Sequence, residues 1–551
     1  MSAPTETLPS PPEPHALAPP TVRVRDWRLV GGAVVAIEML ALAVFSASQA
    51  RVATPREDEV LALFVGRSSF GTALHQVIGE RGGAPLHFVA AWIVVHLGGH
   101  LVALRLVSAA FAIAALPVIA LLAARLGRDW RVGVVAAVVA APSWLVLFHA
   151  NFGRMYAMFL FFGALAPLLL LRALERDRTK DWAGWWAASL LALACHPYGA
   201  FVLGAGIATV LVARRGQPRT WLICAVPVLA GLPFWISDIV LRSRFDVGVG
   251  GGGESLGSPA KVAAFLLMAF RDAFSWHGFP FWLALALFVS GLVLVAREAT
   301  RPERVLLGAS FAFPLAALLA VRAGDTVSPQ TRHLIFLLPF ADLFVAVALV
   351  RGAERLRVAG PPLAVAALAV LCVGQVQTAE QRTGDLFHGD RASRVTARTE
   401  AANWIRANVA PNALLLGYDP IYYQVWAHEP GFSSYVVARA DGKVAAKQLT
   451  RYCGRFDGAT FIFDVTNYYD GEPTPNVVRL KRRLHARGYV TKQFGDFLLV
   501  VADTRGTGMD YVRAAIPILR AGKAESLVVA DVALTSVLGA ETILPQKHTC
   551  A

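Results

Sequence analysis

The sequence predicts an α-helical polytopic membrane protein with a small α/β domain at its C-terminal end. Three observations carry that prediction. Of 551 residues, 56% are hydrophobic and only 16% charged, with mean hydropathy +0.52. A soluble domain is usually about 45–50% apolar and about 25% charged. The apolar residues gather into runs near the roughly 20 residues that a bilayer-crossing helix needs, and these runs stop near residue 378. Beyond that point charges return, and short strand-like runs alternate with helical patterns.

Residues 1–27 hold seven prolines and read as a disordered cytoplasmic tail, with Arg23, Arg25 and Arg28 at its junction with the first apolar run. That run, Leu29–Ser48, exceeds a signal-peptide core and is expected to stay as an anchor. It opens a membrane catalytic domain over residues 28–378. A first outer loop covers 49–100. Within it Ala84–Leu97, carrying His87 and His96, is about two-thirds of a span, so it should lie at the interface or dip in. Further spans are expected near 101–124, 132–149, 155–174, 183–195, 198–213, 221–240, 278–297, 304–322, 333–350 and 361–378, about eleven in all.

The basic residues orient this array. If 84–97 does not cross, five short loops face the cytosol. They hold clusters such as Arg125, Arg128 and Arg131, or Arg351, Arg355 and Arg357. The short outer loops hold only Arg154, Arg322 and Arg332. That is the positive-inside pattern, with the N-terminus in and the C-terminus out. It also accounts for the net charge of +14 without nucleic acid, for which no binding motif is present.

A second outer loop, 241–277, contains the run Gly248 to Gly253, broken only by Val249. It suits either a mobile lid or a flexible linker. It lacks Gly-Lys-Ser/Thr, so it is no phosphate-binding P-loop. Residues 379–551 should form the extracytoplasmic α/β domain. Helices are expected at Glu400–Val409 and Val478–Arg487, and strands at Ala413–Gly417, Thr460–Val465 and Phe497–Ala502. The five cysteines show no CxxC or metal spacing. Cys195, Cys224 and Cys372 lie in or beside apolar runs, while Cys453 and Cys550 could pair only outside the cytosol.

The chemistry centres on Arg56-Glu57-Asp58-Glu59-Val60, three acids just beyond the first span. Charges there can simply end a helix, or they can open a catalytic site. The outer ends of the other spans hold Asn151, Arg154, Tyr156, His196, Tyr198, Asp238, Asp272, His277, Arg332 and His333. Acids with several Arg and His suit a reaction at a phosphorylated substrate. Cations stabilise charge on a phosphate leaving group, and a carboxylate takes the proton of an attacking hydroxyl. Arginines at span ends also snorkel toward headgroups, so no single placement is specific. Glu38, Arg105 and Asp342 fall within spans and should face the bundle. For Glu38 and Asp342, helix–helix hydrogen bonding or proximity to a water-filled cavity is favoured over an ion pathway, since no partner lies in register.

Ordered short segments extend this pattern. Asp58-Glu59, Gly83-Ala84-Pro85-Leu86-His87, Leu104-Arg105-Leu106-Val107-Ser108, Arg154-Met155-Tyr156-Ala157-Met158, His196-Pro197-Tyr198 and Arg332-His333-Leu334 with Pro339 follow one another over residues 29–350. The set resembles the GT-C glycosyltransferases, family 39 type, which includes protein O-mannosyltransferases and the lipid A aminoarabinose transferase. The resemblance implies transfer of a sugar from a polyprenyl-phosphate donor to an acceptor hydroxyl at the outer face of the cell membrane, with inversion. Asp58 would be the general base, and Glu59 would assist it or bind the acceptor. Arg154 and Arg332, with His196 and Tyr156, would hold the lipid phosphate. Some relatives use a divalent metal. This sequence has no acid beside Asn151–Arg154, so a metal would need Asp58 with Asp238 or Asp272, and no cofactor is otherwise expected. Mannose, arabinose and aminoarabinose lipids are all possible donors, and protein, lipid and glycan are all possible acceptors. The competing functions are a polytopic transporter or lipid-sugar flippase, and a non-catalytic assembly protein.

Overall fold

The computed structural model describes residues 24–245 except 82 and 84, then 258–320, 330–415, 420–428, 456–464, 475–506 and scattered positions from 510 to 525. The proline-rich tail, the glycine run, Arg322, Cys453 and Cys550 lie outside the described residues.

The helices in chain order are α1 (Val24–Gln49), α2 (Glu57–Gly66), α3 (Phe70–His75), α4 (Pro85–His96), α5 (Leu101–Gly127), α6 (Trp130–Ala140), α7 (Trp144–Ala150), α8 (Tyr156–Arg176), α9 (Thr179–Cys195) and α10 (Gly199–Ala213). There follow α11 (Arg219–Ala230), α12 (Leu232–Phe245), α13 (Pro259–Ala273), α14 (Gly278–Glu298), α15 (Arg301–Ala320), α16 (Leu338–Arg355) and α17 (Gly360–Arg382). Among the described residues, seven helices are long and apolar enough to cross a membrane, or up to nine if each bent pair is one span. The protein is therefore multi-pass. The expected eleven also counted α9 and α10, at 17 and 15 residues. At 1.5 Å per residue they rise roughly 22–26 Å, short of a hydrocarbon core of about 30 Å. The helix expected at 84–97 is α4, only 12 residues long.

Both bends have local causes. α6 and α7 meet at 64° across Ala141-Pro142-Ser143, where Pro142 cannot donate the backbone bond that would continue the helix. The Ser143 hydroxyl donates instead to the Ala273 carbonyl, 2.9 Å away. α11 and α12 meet at 48° at Gly231, two residues before Pro233.

One buried apolar cluster runs through the helical array, with α16 at its centre: 89% of that span's apolar window is buried. Asp342 lies inside α16, fully buried, with neither carboxylate oxygen hydrogen-bonded among the described residues. At the crossing of α14 and α16, Gly291 lets the backbones touch. A Cβ there would collide with the Phe344 carbonyl oxygen.

Beyond α17 come α18 (Asp385–His388), α19 (Ala392–Asn408), β1 (Leu414–Leu415), α20 (Pro420–His428), β2 (Phe456–Asp464), a helix at Pro475–His485, β3 (Val490–Phe494) and β4 (Phe497–Gly506). The strand order is β1-β2-β4-β3, with β1 parallel to β2 and the other pairs antiparallel. Phe461 faces Val500 across β2 and β4, and both are fully buried. Edge strand β3 was not expected, because Thr491-Lys492-Gln493 carries no apolar run. It exists because Gly495, at φ 49, turns the chain back onto β4.

A second apolar cluster fastens this sheet domain to the first loop. Val60, Leu63 and Phe64 of α2 pack with Ile405, Tyr422, Val425 and Leu499. The Phe64 ring lies 6.4 Å from Tyr423 and 6.0 Å from Trp426, and the Tyr423 hydroxyl accepts from the Leu101 N–H at 3.0 Å.

The α14–α16 crossing makes a direct prediction. Gly291→Ala forces the two backbones apart and should cost about 1–3 kcal/mol, the usual scale of overpacking. Gly308→Ala, where a Cβ meets nothing within 4 Å, should be neutral or slightly stabilising. Thermal unfolding of the purified protein in detergent reads both, and equal melting points would refute the close approach.

Candidate active site

Glu57, Asp58 and Glu59 form the first turn of α2, where carboxylates complement the helix dipole. Successive helical residues point about 100° apart, so the last two acids take different surroundings. Asp58 is 35% exposed at its side chain and Glu59 is 0% exposed.

Glu59 is consumed by structure. Its Oε1 accepts from Arg105 Nε at 2.8 Å and its Oε2 from Arg105 Nη2 at 2.7 Å. The Gly153 N–H donates to Oε1 at 2.7 Å and the Arg56 N–H to Oε2 at 3.0 Å. Arg105 in turn donates to the carbonyls of Ala50, Ala53 and Thr54, each at 3.0 Å. The expectation that Glu59 binds the acceptor is corrected: a buried carboxylate with four donors has no room for a substrate. Arg105, expected only to face the bundle, is its partner.

Asp58 meets two cations drawn from remote segments. Arg154 Nη2 and Arg332 Nη2 each lie 4.0 Å from Asp58 Oδ2. Arg154 stands in the break between α7 and α8, and its Nη1 also donates to the Asp58 carbonyl at 3.2 Å. Arg332 sits in a 3₁₀ helix, Thr331–Leu337. Its guanidinium lies over the Tyr156 ring at 5.0 Å and near Phe152 at 5.9 Å. His196 is brought to the same place, 5.9 Å from the Tyr156 ring and 4.8 Å from His333. Its Nδ1 accepts from the Tyr198 N–H at 3.1 Å.

Two further histidines join this group. His149, one turn before Phe152, packs 4.7 Å from the Tyr156 ring. The sequence reading missed it, although a histidine inside the apolar run Trp144–Ala150 was visible. His87 on α4 is fully buried. Among the described residues, neither ring nitrogen of His87 or His149, nor Nε of Arg154 or Arg332, finds a hydrogen-bond partner. Burial drives His87 down to about 3, with the Arg154 charge adding to the effect and Asp58 opposing it. Burial, then His333, Arg332 and Arg154, holds His196 well below its ordinary value. Both imidazoles are therefore neutral near pH 7.

The other expected residues are not all assembled. Asp272 is buried, accepts from Trp276 Nε1 at 2.9 Å and from the Thr331 hydroxyl, and pairs with Arg382 at 3.3 Å. Asp238 lies on α12, and no described contact joins it to Asp58. The pairing of Asp58 with Asp238 or Asp272 around a metal is not formed. Among the described residues no three His, Cys, Asp or Glu side chains group closely enough to hold a metal ion. His277 packs on Trp276, and Asn151 turns back to the Leu147 carbonyl. His96 stacks on Trp92. A cavity of about 350 Å³ opens beside Asp58, lined also by Arg56, Glu57, Phe148, Phe152 and Arg332.

No family model matches the sequence, and neither does any curated protein. Among solved structures the chain is similar to ArnT from Cupriavidus metallidurans bound to undecaprenyl phosphate. That match has 13% identity and TM-score 0.55, covering 87% of this chain and 98% of that one. The apo state of ArnT gives 15% identity and TM-score 0.54 over the same shares. At this identity the likeness is one of fold.

Two outcomes follow from the site's burial. Glu59→Gln leaves the Arg105 charge buried and uncompensated and should cost about 3–5 kcal/mol, measured as a fall in melting temperature. Adding Arg105→Gln should recover part of that loss. A double variant no more stable than the single one would refute the pairing. For His87 and His196 the folded-state pKa lies below the unfolded value near 6.5, so the unfolded chain binds more protons as pH falls. Stability is fully present above about 6.5 and should fall below it, at up to about 1.4 kcal/mol per pH unit for each histidine. Melting scans from pH 7.5 to 5 test this, and His87→Gln should flatten the slope.

Proposed function

We propose that this chain, whose fold is the GT-C membrane fold, is a glycosyltransferase that uses a polyprenyl-phosphate sugar donor at the outer face of the cell membrane. One observation carries the proposal. The Asp58 carboxylate stands between the guanidiniums of Arg154 and Arg332 at the edge of a cavity. That arrangement sits on the fold of ArnT, a protein crystallised with undecaprenyl phosphate.

Each group has a defined task. An acceptor hydroxyl enters the cavity beside Asp58. Its oxygen attacks the anomeric carbon as the bond from that carbon to the phosphate oxygen breaks. Asp58 takes the hydroxyl proton, and the bonding electrons leave with the polyprenyl phosphate. Attack opposite the leaving group inverts the anomeric centre. Arg154 and Arg332 carry charge complementary to the phosphate, and preorganised cations of this kind are worth far more in a dry site than in water. Tyr156 supports the Arg332 guanidinium by a cation–π contact. Neutral His196 and His87 supply N–H groups without adding charge. Glu59 acts only by fixing where Asp58 and Arg154 stand.

The resemblance admits a hexosyl or pentosyl donor, and a protein, lipid or glycan acceptor. The positive-inside pattern supports a cytoplasmic N-terminus and an extracytoplasmic C-terminal domain.

Membranes carrying the wild-type chain or Asp58→Asn would be supplied with a panel of radiolabelled polyprenyl-phosphate sugars. Transfer from one donor should fall about 10²–10⁴-fold in the Asn form, the scale of losing a general base, while the protein still folds. Full transfer by Asp58→Asn would overturn the site. Donor moved intact across the bilayer would instead point to the transporter or flippase.

A further inference from the structure

The end of the helical array remote from Asp58 carries a second constellation of charge. α8 starts at Tyr156 in the candidate site and rises about 30 Å over its 21 residues before it stops at Arg176. α9 returns from there to His196. Two turns meet at this remote end, 177–178 between α8 and α9 and 214–218 between α10 and α11.

Asp177 locks the two turns together. Its carboxylate pairs with Arg214 through contacts of 2.5 and 3.0 Å and accepts from Trp182 Nε1 at 2.8 Å. The Arg214 guanidinium lies 5.5 Å from the centre of the Trp182 ring. The Thr220 hydroxyl donates to the Arg214 carbonyl at 2.9 Å. The surface at this end is thus fixed in shape.

Its charge is far from balanced. Residues 172–181 and 214–219 hold seven basic and three acidic side chains. All three acids are occupied: Glu175 pairs with Arg125, Asp177 with Arg214 and Asp181 with Arg172. Arg176, Arg178, Lys180 and Arg215 are exposed and meet no carboxylate among the described residues. Exposed Arg219 lies in the field of Asp177, which Arg214 already binds. The neighbouring turn between α5 and α6 is different. There Arg125 and Arg128 share Glu303, and Arg131 pairs with Asp129 and Glu354.

Helix stability does not account for the unmatched cations. Arg178 caps α9, Lys180 lies in its first turn and Arg219 opens α11. The N-terminal end of a helix dipole is already positive, so a cation there is unfavourable. Negative charge from outside the chain would offset this. The border of the patch says which anion fits. Trp221 and Leu222 follow Arg219 directly on α11 and are 73% and 63% exposed. α11 and α12 together form one of the bent candidate spans, and an indole beside a cation at the end of a span belongs at headgroup level. The anion met at that level is a lipid phosphate. A soluble anion would make no use of the apolar border.

We infer that the turns after α8 and α10 form a binding site for the phosphate headgroup of an anionic phospholipid, held by Arg176, Arg178, Lys180, Arg215 and Arg219. The bound headgroup clamps the ends of α8 and α9, the helices that reach Tyr156 and His196 on the opposite side.

Native mass spectrometry of the full chain in detergent, titrated with phosphatidylglycerol or with phosphatidylcholine, measures the site. Phosphatidylglycerol should bind at least about tenfold more tightly. Arg178→Gln combined with Lys180→Gln should weaken its binding at least about tenfold, at roughly fivefold for each cation lost beside a lipid phosphate. The melting temperature of that variant without added lipid should be unchanged or slightly higher, because the charges removed oppose the dipole of α9. Arg215→Gln combined with Arg219→Gln probes the other turn and should do the same. Arg355→Gln combined with Arg357→Gln removes two exposed cations beyond α16 and should change binding less than about twofold. Equal affinity for the two lipids overturns the site. An equal loss in the Arg355 and Arg357 variant also overturns it, because binding then follows net charge alone. Displacement of phosphatidylglycerol by an equal concentration of glycerol phosphate would show a soluble anion as the ligand and sink the lipid assignment.

Discussion

The ion pair between Glu59 and Arg105 is the constraint on which the rest of the site depends. Both side chains are almost wholly buried, at 0% and 2% exposure. Taking two such charges out of water costs several kcal/mol each, and only near-ideal geometry offsets it. The geometry here is of that kind, with two bonds between the partners and the remaining capacity spent on backbone. Arg105 gathers the carbonyls of the turn at Ala50–Thr54, which ends α1 and aims the chain into α2. Glu59 reaches the Gly153 N–H, which fixes the residue beside Arg154. One buried pair thus ties the loop carrying the proposed base to the helix break carrying a proposed phosphate-binding cation. Adjacent acids divide the work, one holding the frame and the other facing the cavity.

The same division recurs in where the functional groups sit. Arg154 lies between α7 and α8, His196 between α9 and α10, and Arg332 in a 3₁₀ turn before α16. Each stands where a regular helix stops. At membrane depth, irregular backbone is tolerated only where it lines a cavity or is buried in protein, so the breaks and the site depend on one another. Asp272 shows how such a segment is held. It accepts from Thr331, the residue before Arg332, and from Trp276, and pairs with Arg382 of α17. Its role is scaffolding for the 3₁₀ turn, with its carboxylate already spent.

Much of the architecture was legible because membrane helices announce themselves. Among the described residues every apolar run from Leu101 onward is helical near its expected bounds, although 132–149 and 221–240 are each broken into two helices, and α4 is short as expected. The ambiguous part was span count, since α9 and α10 are too short for length alone to decide. Convergence of Asp58, Arg154, Tyr156, His196 and Arg332 was legible from their shared place at helix ends. What a sequence could not show was which way neighbouring side chains turn. Asp58 and Glu59 look equivalent in a string of acids, and only the phase of α2 separates them. His149 was hidden by its apolar neighbours. Arg394 and Arg398, which line the same cavity, were hidden by distance, since nothing in α19 signals that it will meet residue 58. Strand β3 was missed because an edge strand needs no apolar alternation.

The composition of the cavity wall sets the order in which the protein can become competent. Its lining comes from residues 54–58, 148–152, 332, 394–398, 420 and 497. No two-thirds of the chain contains all of it. A chain still being made has its carboxylate and its helix breaks in place long before β4 exists to close the other side. The pocket is thus a late event in biogenesis, completed only when the sheet domain folds and seats on α2 through Phe64, Tyr423 and Trp426. A nascent chain already inserted in the bilayer therefore lacks an enclosed chamber until Phe497 has been made and β4 has folded.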